Sequence, residues 1–108
     1  MAVQANQGSS RLGASQNVAY NAAGGASTAS TAFGSQTTQI RVLATSGVAG
    51  AIGDGVRVII EAGTPSAVAT STVIPLNIPE YFSVSPGQKI AALSNNASTG
   101  SLNVTEVA

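Results

Sequence analysis

The 108-residue chain contains no cysteine and no histidine. Without cysteine, no disulfide can brace the fold and no thiolate can serve as nucleophile or metal ligand. Without histidine, the commonest zinc ligand and the usual general base near neutral pH are both missing. Charge is almost as scarce. The basic residues are Arg11, Arg41, Arg57 and Lys89, and the acidic ones are Asp54, Glu61, Glu80 and Glu106. They make up 7% of the chain, against about 25% in typical globular proteins. Net charge is zero, so no basic patch is available to neutralise a row of phosphates, and no nucleic-acid partner is expected. So weakly charged a surface does little to hold copies apart, which favours association. Long apolar runs are missing as well. Val56–Ile60 is among the longest, far below the ~20 residues a membrane helix needs. No basic stretch followed by an apolar core opens the chain, so neither a secretion signal nor a membrane partner is expected. In that setting the triplets Asn96-Ala97-Ser98 and Asn103-Val104-Thr105 read as chance occurrences.

Small and amide residues dominate positions 1–36. Val3, Leu12, Val18, Tyr20 and Phe33 are the sizeable apolar side chains there, and their spacing follows neither the helical nor the strand period. Gly24-Gly25 would break a helix. The reading is an extended N-terminal arm over residues 1–36, flexible or ordered by a partner, with Tyr20 and Phe33 as its anchors.

From residue 37 to 108 the pattern changes to short β-branched runs separated by turns. Strands are predicted over Gln36–Thr45, Val56–Ala62, Thr72–Leu76, Glu80–Ser85, Gln88–Ser94 and Ser101–Val107. Ile40, Val42, Ala44, Val56, Val58, Ile60, Phe82, Val84, Ile90, Ala92, Leu102 and Val104 fall on the core-facing positions by alternation. Leu43, Ile59, Tyr81 and Leu93 fall on the other face, and Leu43 and Tyr81 are candidate partner contacts. Ser46–Gly53 is a loop or a broken strand, and Asp54-Gly55 suggests a tight hairpin. Ser85-Pro86-Gly87-Gln88 has the type II arrangement, with Pro fixing φ and Gly taking φ > 0. Pro75 places its strand at a sheet edge. The fold class expected is all-β, a small antiparallel β-sandwich or barrel of about six strands preceded by the arm. A domain this small buries only ~60% of its unfolded surface, so a homo-oligomer is expected.

No catalytic, metal or cofactor site emerges. Lys89, the single lysine, follows a tight turn, where a solvated ammonium is the default. Asp54, Glu61, Glu80 and Glu106 could in principle supply a pair of carboxylates, and Glu61 and Glu106 could lie on neighbouring strands. Nothing in their spacing brings them into one cleft. Arg41 with Glu61, or Arg57 with Glu106, is expected as a cross-strand ion pair. Gly24-Gly25 has no Lys-Ser/Thr after it and forms no phosphate cradle. The chain reads as non-enzymatic.

Four stretches carry a resemblance: Arg41–Thr45, Val56–Gly63, Pro75–Ile90 and Gly100–Val107. With Pro79-Glu80-Tyr81-Phe82-Ser83-Val84-Ser85-Pro86-Gly87-Gln88-Lys89 at their centre and Leu102-Asn103-Val104-Thr105-Glu106 at the end, they resemble small structural virion proteins of tailed bacteriophages. The similarity covers about residues 40–107, and neither the polar front nor Ser46–Ile52 belongs to it. The resemblance implies a capsid decoration or cement protein on the exterior of the phage head, bound to the major capsid protein, commonly as a trimer. The alternative it leaves open is a receptor- or glycan-binding knob of a head fibre or tail. That knob would use Tyr81 or Tyr20 as a stacking platform and Asn95–Gly100 for polar contacts.

Overall fold

The computed structural model describes residues 12–20, 27–46, 55–95 and 99–107. Residues 1–11, Gly24-Gly25, the run 47–54 with its Asp54 turn, and the Asn96-Ala97-Ser98 triplet lie outside these. Eight strands are described: β1 Leu12–Tyr20, β2 Thr28–Ala29, β3 Gln39–Ser46, β4 Gly55–Glu61, β5 Thr72–Pro75, β6 Glu80–Ser83, β7 Lys89–Ser94 and β8 Gly100–Val107. They form two four-stranded sheets. Sheet I has the order β1-β8-β3-β6 and sheet II the order β2-β7-β4-β5. Every pairing between these strands is antiparallel. The first strand pairs with the eighth, the second with the seventh, the third with the sixth and the fourth with the fifth. That is a long hairpin rolled up on itself, the double-Greek-key order of a jelly roll. The outer strands of both sheets remain edges, so no barrel closes.

The six strands read from alternation are all present, and their inward residues form the core. Ile40, Val42, Ala44, Val56, Ile90, Ala92 and Leu102 are fully buried, with Ile60, Leu76 and Phe82 packed against them. Pro75 does sit on an edge strand. The Ser85–Gln88 turn also forms as expected. The Gln88 N–H donates to the Ser85 carbonyl at 3.1 Å, and Gly87 has φ +83°. This turn does not close a hairpin, because β6 and β7 belong to different sheets.

Three expectations are corrected. First, residues 12–20 and 27–36 belong to the β domain, so no arm extends to residue 36. Strand β1 runs the length of β8, and Val18, Tyr20 and Phe33 are core residues. Tyr20 is 1% exposed and Phe33 3%, so neither can anchor a partner without leaving its own core. Second, the described residues form eight strands, because β1 and β2 carry too few apolar residues to betray themselves. Third, β3 and β4 lie in opposite sheets. Neither proposed ion pair can therefore cross adjacent strands, while the tight hairpin expected at Asp54-Gly55 falls on residues outside the described ones. Arg41 pairs in register with Tyr81 and Thr105, whereas Glu61 faces Lys89. Arg57 instead donates from Nη1 to the Ser71 carbonyl at 2.8 Å.

Glycine and asparagine fix two close points. Tyr20 lies over Gly100 and donates from Oη to the Thr45 carbonyl at 2.8 Å. A Cβ on Gly100 would fall 2.8 Å from the Tyr20 ring, closer than real Cβ atoms approach. Asn77 adopts φ 64°, a left-handed conformation that Asn tolerates better than other non-glycine residues. Its N–H donates to the Ala44 carbonyl at 2.8 Å and ties the β5–β6 connector to β3.

Candidate functional site

The outer faces of the two sheets differ. Over sheet II, the segment from Ala62 to Ser71 folds back across the strands. Ala67 is buried and its N–H donates to Ser27 Oγ at 2.9 Å, beyond the far edge of the sheet. Alternation along β7 puts Ala91 on the outer face, opposite to Ile90 and Ala92, yet Ala91 has no exposed surface. The folded-back segment accounts for that. It covers part of the face that carries Arg57, Ile59, Glu61, Lys89 and Leu93.

Over sheet I, no described segment covers the outer face. Its middle is a lattice of amides and hydroxyls. Asn103 donates from Nδ2 to Asn17 Oδ1 at 2.9 Å and to Ser15 Oγ at 3.1 Å, and its Oδ1 accepts from Thr105 Oγ1 at 3.2 Å. Ser15 and Thr105 also meet hydroxyl to hydroxyl at 3.2 Å. Beside the lattice lie Leu43, half-buried, then Arg41 and Tyr81, paired in register on β3 and β6. Tyr81 is 56% exposed. Among the described residues Arg41 is the single charged side chain placed on this face by alternation. The face is therefore flat, nearly neutral and rich in donors and acceptors, with one aromatic ring at its rim. The lattice escaped the sequence reading, although Ser15-x-Asn17 and Ser101-x-Asn103-x-Thr105 repeat with the strand period that produces it.

The four candidate contact residues thus separate. Leu43 and Tyr81 share the outer face of sheet I, and Tyr20 and Phe33 are core. Ile59 and Leu93 are on sheet II, so the four outward apolar residues form no common patch. Of the composite glycan site, residues 96–98 fall outside the described ones, Tyr20 is buried beside Gly100, and Tyr81 is remote from Gly100. Tyr81 lies in the row of Arg41, whereas Gly100 lies in the row of Ser46. Five residues of strand put these rows ~17 Å apart.

The carboxylates are likewise dispersed. Glu106 faces inward at one end of sheet I, where it accepts from the Gly34 N–H at 3.2 Å and from the Thr37 hydroxyl. It caps the turn before β3. Glu61 faces outward on the other sheet. Among the described residues, no group of three acidic side chains is close enough to hold a metal ion.

Between the edges β5 and β6 the sandwich opens into an apolar cleft of about 230 Å³, lined by Val58, Ile59, Ile60, Thr72 and Phe82. Pockets for drug-sized ligands run from roughly 300 Å³ upward and carry convergent polar groups. This cleft is smaller, and Thr72 is its one polar side chain. It suits an inserted side chain better than a free ligand. No family model, characterised protein or solved structure matches the chain.

Proposed function

We propose that the protein is a non-enzymatic virion component, a capsid decoration protein that lays the outer face of sheet I on the shell of a bacteriophage head. The observation that carries this reading is the nearly uncharged face built by Tyr81, Leu43, Arg41 and the Asn17–Asn103 lattice, over which no described segment lies. A flat face of this kind suits a broad protein partner, since it offers many hydrogen bonds and almost no charge to desolvate. The resemblance of residues 40–107 to phage structural proteins points the same way. The jelly-roll order is also at home in capsid domains, an analogy of fold and not of site. The major capsid protein is the partner in this reading, and the physical role is added buried area across capsomer joints, which resists pressure from the packaged genome.

A second reading, the receptor- or glycan-binding knob, keeps one observation in its favour. Tyr81 beside Arg41 and the amide lattice could stack on and hydrogen-bond a sugar ring. A density map of the particle that carries this chain separates the two. Density at capsomer joints, with sheet I against the shell, supports the decoration protein. Density confined to a fibre or tail tip, with sheet I facing solvent, overturns it in favour of the knob.

A further inference from the structure

The outer edge of β6 carries a short, sharply bounded window of backbone groups. The Val84 N–H donates to the Thr38 carbonyl at 2.9 Å, and β6 pairs with β3 in the same register. Alternation therefore turns the N–H and C=O groups of Glu80 and Phe82 toward β3, and those of Tyr81 and Ser83 away from it. No described group bonds to this second set. The window is closed at both ends. Pro79 has no N–H to give, and the Ser85 N–H already donates to Gln88 Oε1 at 2.8 Å. On the inner side of the strand the apolar cleft lined by Val58, Ile60, Thr72 and Phe82 opens beside the same edge.

We propose that the partner of this edge is β6 of a second copy, paired antiparallel across a two-fold axis, so that sheet I runs on from one copy into the other. The bounded window sets the register. With Phe82 opposite Phe82, Tyr81 of each copy faces Ser83 of the other, and every N–H and C=O of the two residues is bonded. Moving the axis one residue toward Tyr81 sets Ser83 against Pro79, which lacks the donor. Moving it one residue toward Ser83 sets Tyr81 against Ser85, whose N–H is taken.

The side chains agree with that register. Phe82 faces inward, and Phe82 against Phe82 is a non-hydrogen-bonded pair, in which side chains approach most closely. The two rings meet where the two clefts open, and shield both from water. On the outer face the two Tyr81 rings become diagonal neighbours, within reach of one another. The two inward Glu80 side chains stand four residues apart along the strands, ~13 Å, so the acids do not meet. Zero net charge leaves little repulsion between copies. A longer foreign strand would run past the window into Pro79 and Ser85, whereas a second copy brings an edge with the same stops. The pairing rests on the backbone of β6 and not on the capsid reading, and it widens the outer face of sheet I to eight strands.

The test is made on the full chain, without shells. Ser83→Pro removes an outward donor that makes no bond within the described chain, and Thr72→Lys places a charge at the exposed rim of the cleft. Both should keep the wild-type urea midpoint. Sedimentation equilibrium should show a monomer–dimer equilibrium, weakened at least roughly tenfold in each variant. Because the chain has no cysteine, Phe82→Cys puts a single thiol on the axis. Non-hydrogen-bonded pairs hold Cα atoms about 4.5 Å apart, within disulfide range, so mild oxidation should link two copies. A full chain that is a monomer or a trimer at every concentration, a dimer that both variants leave intact, or a Phe82→Cys chain that fails to crosslink overturns the proposal.

Discussion

The two open sides of the sandwich solve the same problem in opposite ways. On the β1/β2 side, the edges are clasped by side chains. Gln16 faces inward and accepts at Oε1 from the Thr31 N–H at 2.9 Å and the Thr31 hydroxyl at 3.1 Å. Its Nε2 donates to the Thr31 carbonyl at 3.4 Å, and Thr28 Oγ1 donates to the Ala19 carbonyl. Beyond β2 the chain keeps bonding to the far sheet, with Ser30 N–H to the Ile90 carbonyl and Phe33 N–H to the Gln88 carbonyl, both at 2.8 Å. On the β5/β6 side no comparable clasp spans the lower half among the described residues. Val58, Ile60 and Phe82 line a gap, and Val73, Ile78 and Tyr81 are exposed nearby. Among the described residues, one side is closed with polar bonds and little apolar area; the other presents apolar area.

The comparison predicts that stability depends steeply on the clasped side. Tyr20→Ala should cost about 3–5 kcal/mol, because it empties a fully buried aromatic site that joins β1 to β3 across β8. Tyr20→Phe keeps the ring and should cost only about 1 kcal/mol, the net worth of its hydrogen bond. Urea unfolding of both variants measures the two terms separately. Equal losses would show that the hydroxyl, not the ring, holds the strand. Gly100→Ala comes next, at about 1–3 kcal/mol, since the added methyl meets the Tyr20 ring and the β3 backbone. Gln16→Ala should cost about 1 kcal/mol by the same measurement, as its bonds to Thr31 are solvent-accessible.

These residues also mark where the sequence could be read and where it could not. Central strands announce themselves, because both of their neighbours and one face are buried. Ile40-x-Val42-x-Ala44 and Leu102-x-Val104 alternate cleanly and gave the right core. Strand β1 is an edge whose inward positions are Gln16, Val18 and Tyr20. Its closure relies on an amide that bonds to the backbone, and a glutamine in that role looks like a linker residue in sequence. The short strand β2 is held through Ser30 and Phe33 to β7, contacts about 60 residues away in sequence that no local pattern encodes. Turn chemistry at Pro86-Gly87 was legible, but whether it joined strands of one sheet or two was not, because a type II turn serves both. Of the candidate site, Tyr81 and Leu43 were placed on one face by period two, whereas Tyr20 and Phe33 were misread for want of a visible partner strand.

The smallest effect on stability is expected on the open side, and there it is the informative one. Tyr81→Ser removes an exposed ring at the edge of sheet I, with its hydroxyl outside the core network. Surface changes of this kind usually stay within about 0.5 kcal/mol. The urea midpoint should therefore barely move. The same substitution removes the one aromatic side chain among the described residues on the outer face of sheet I, and aromatic residues dominate the affinity of protein contacts. Binding to phage shells, measured by co-sedimentation, should then weaken at least roughly tenfold while stability holds. A variant that loses stability in step with binding would place Tyr81 with Tyr20 as a structural residue, and the two sides would differ only in how tightly they close. A variant that keeps both would move the shell contact off this face.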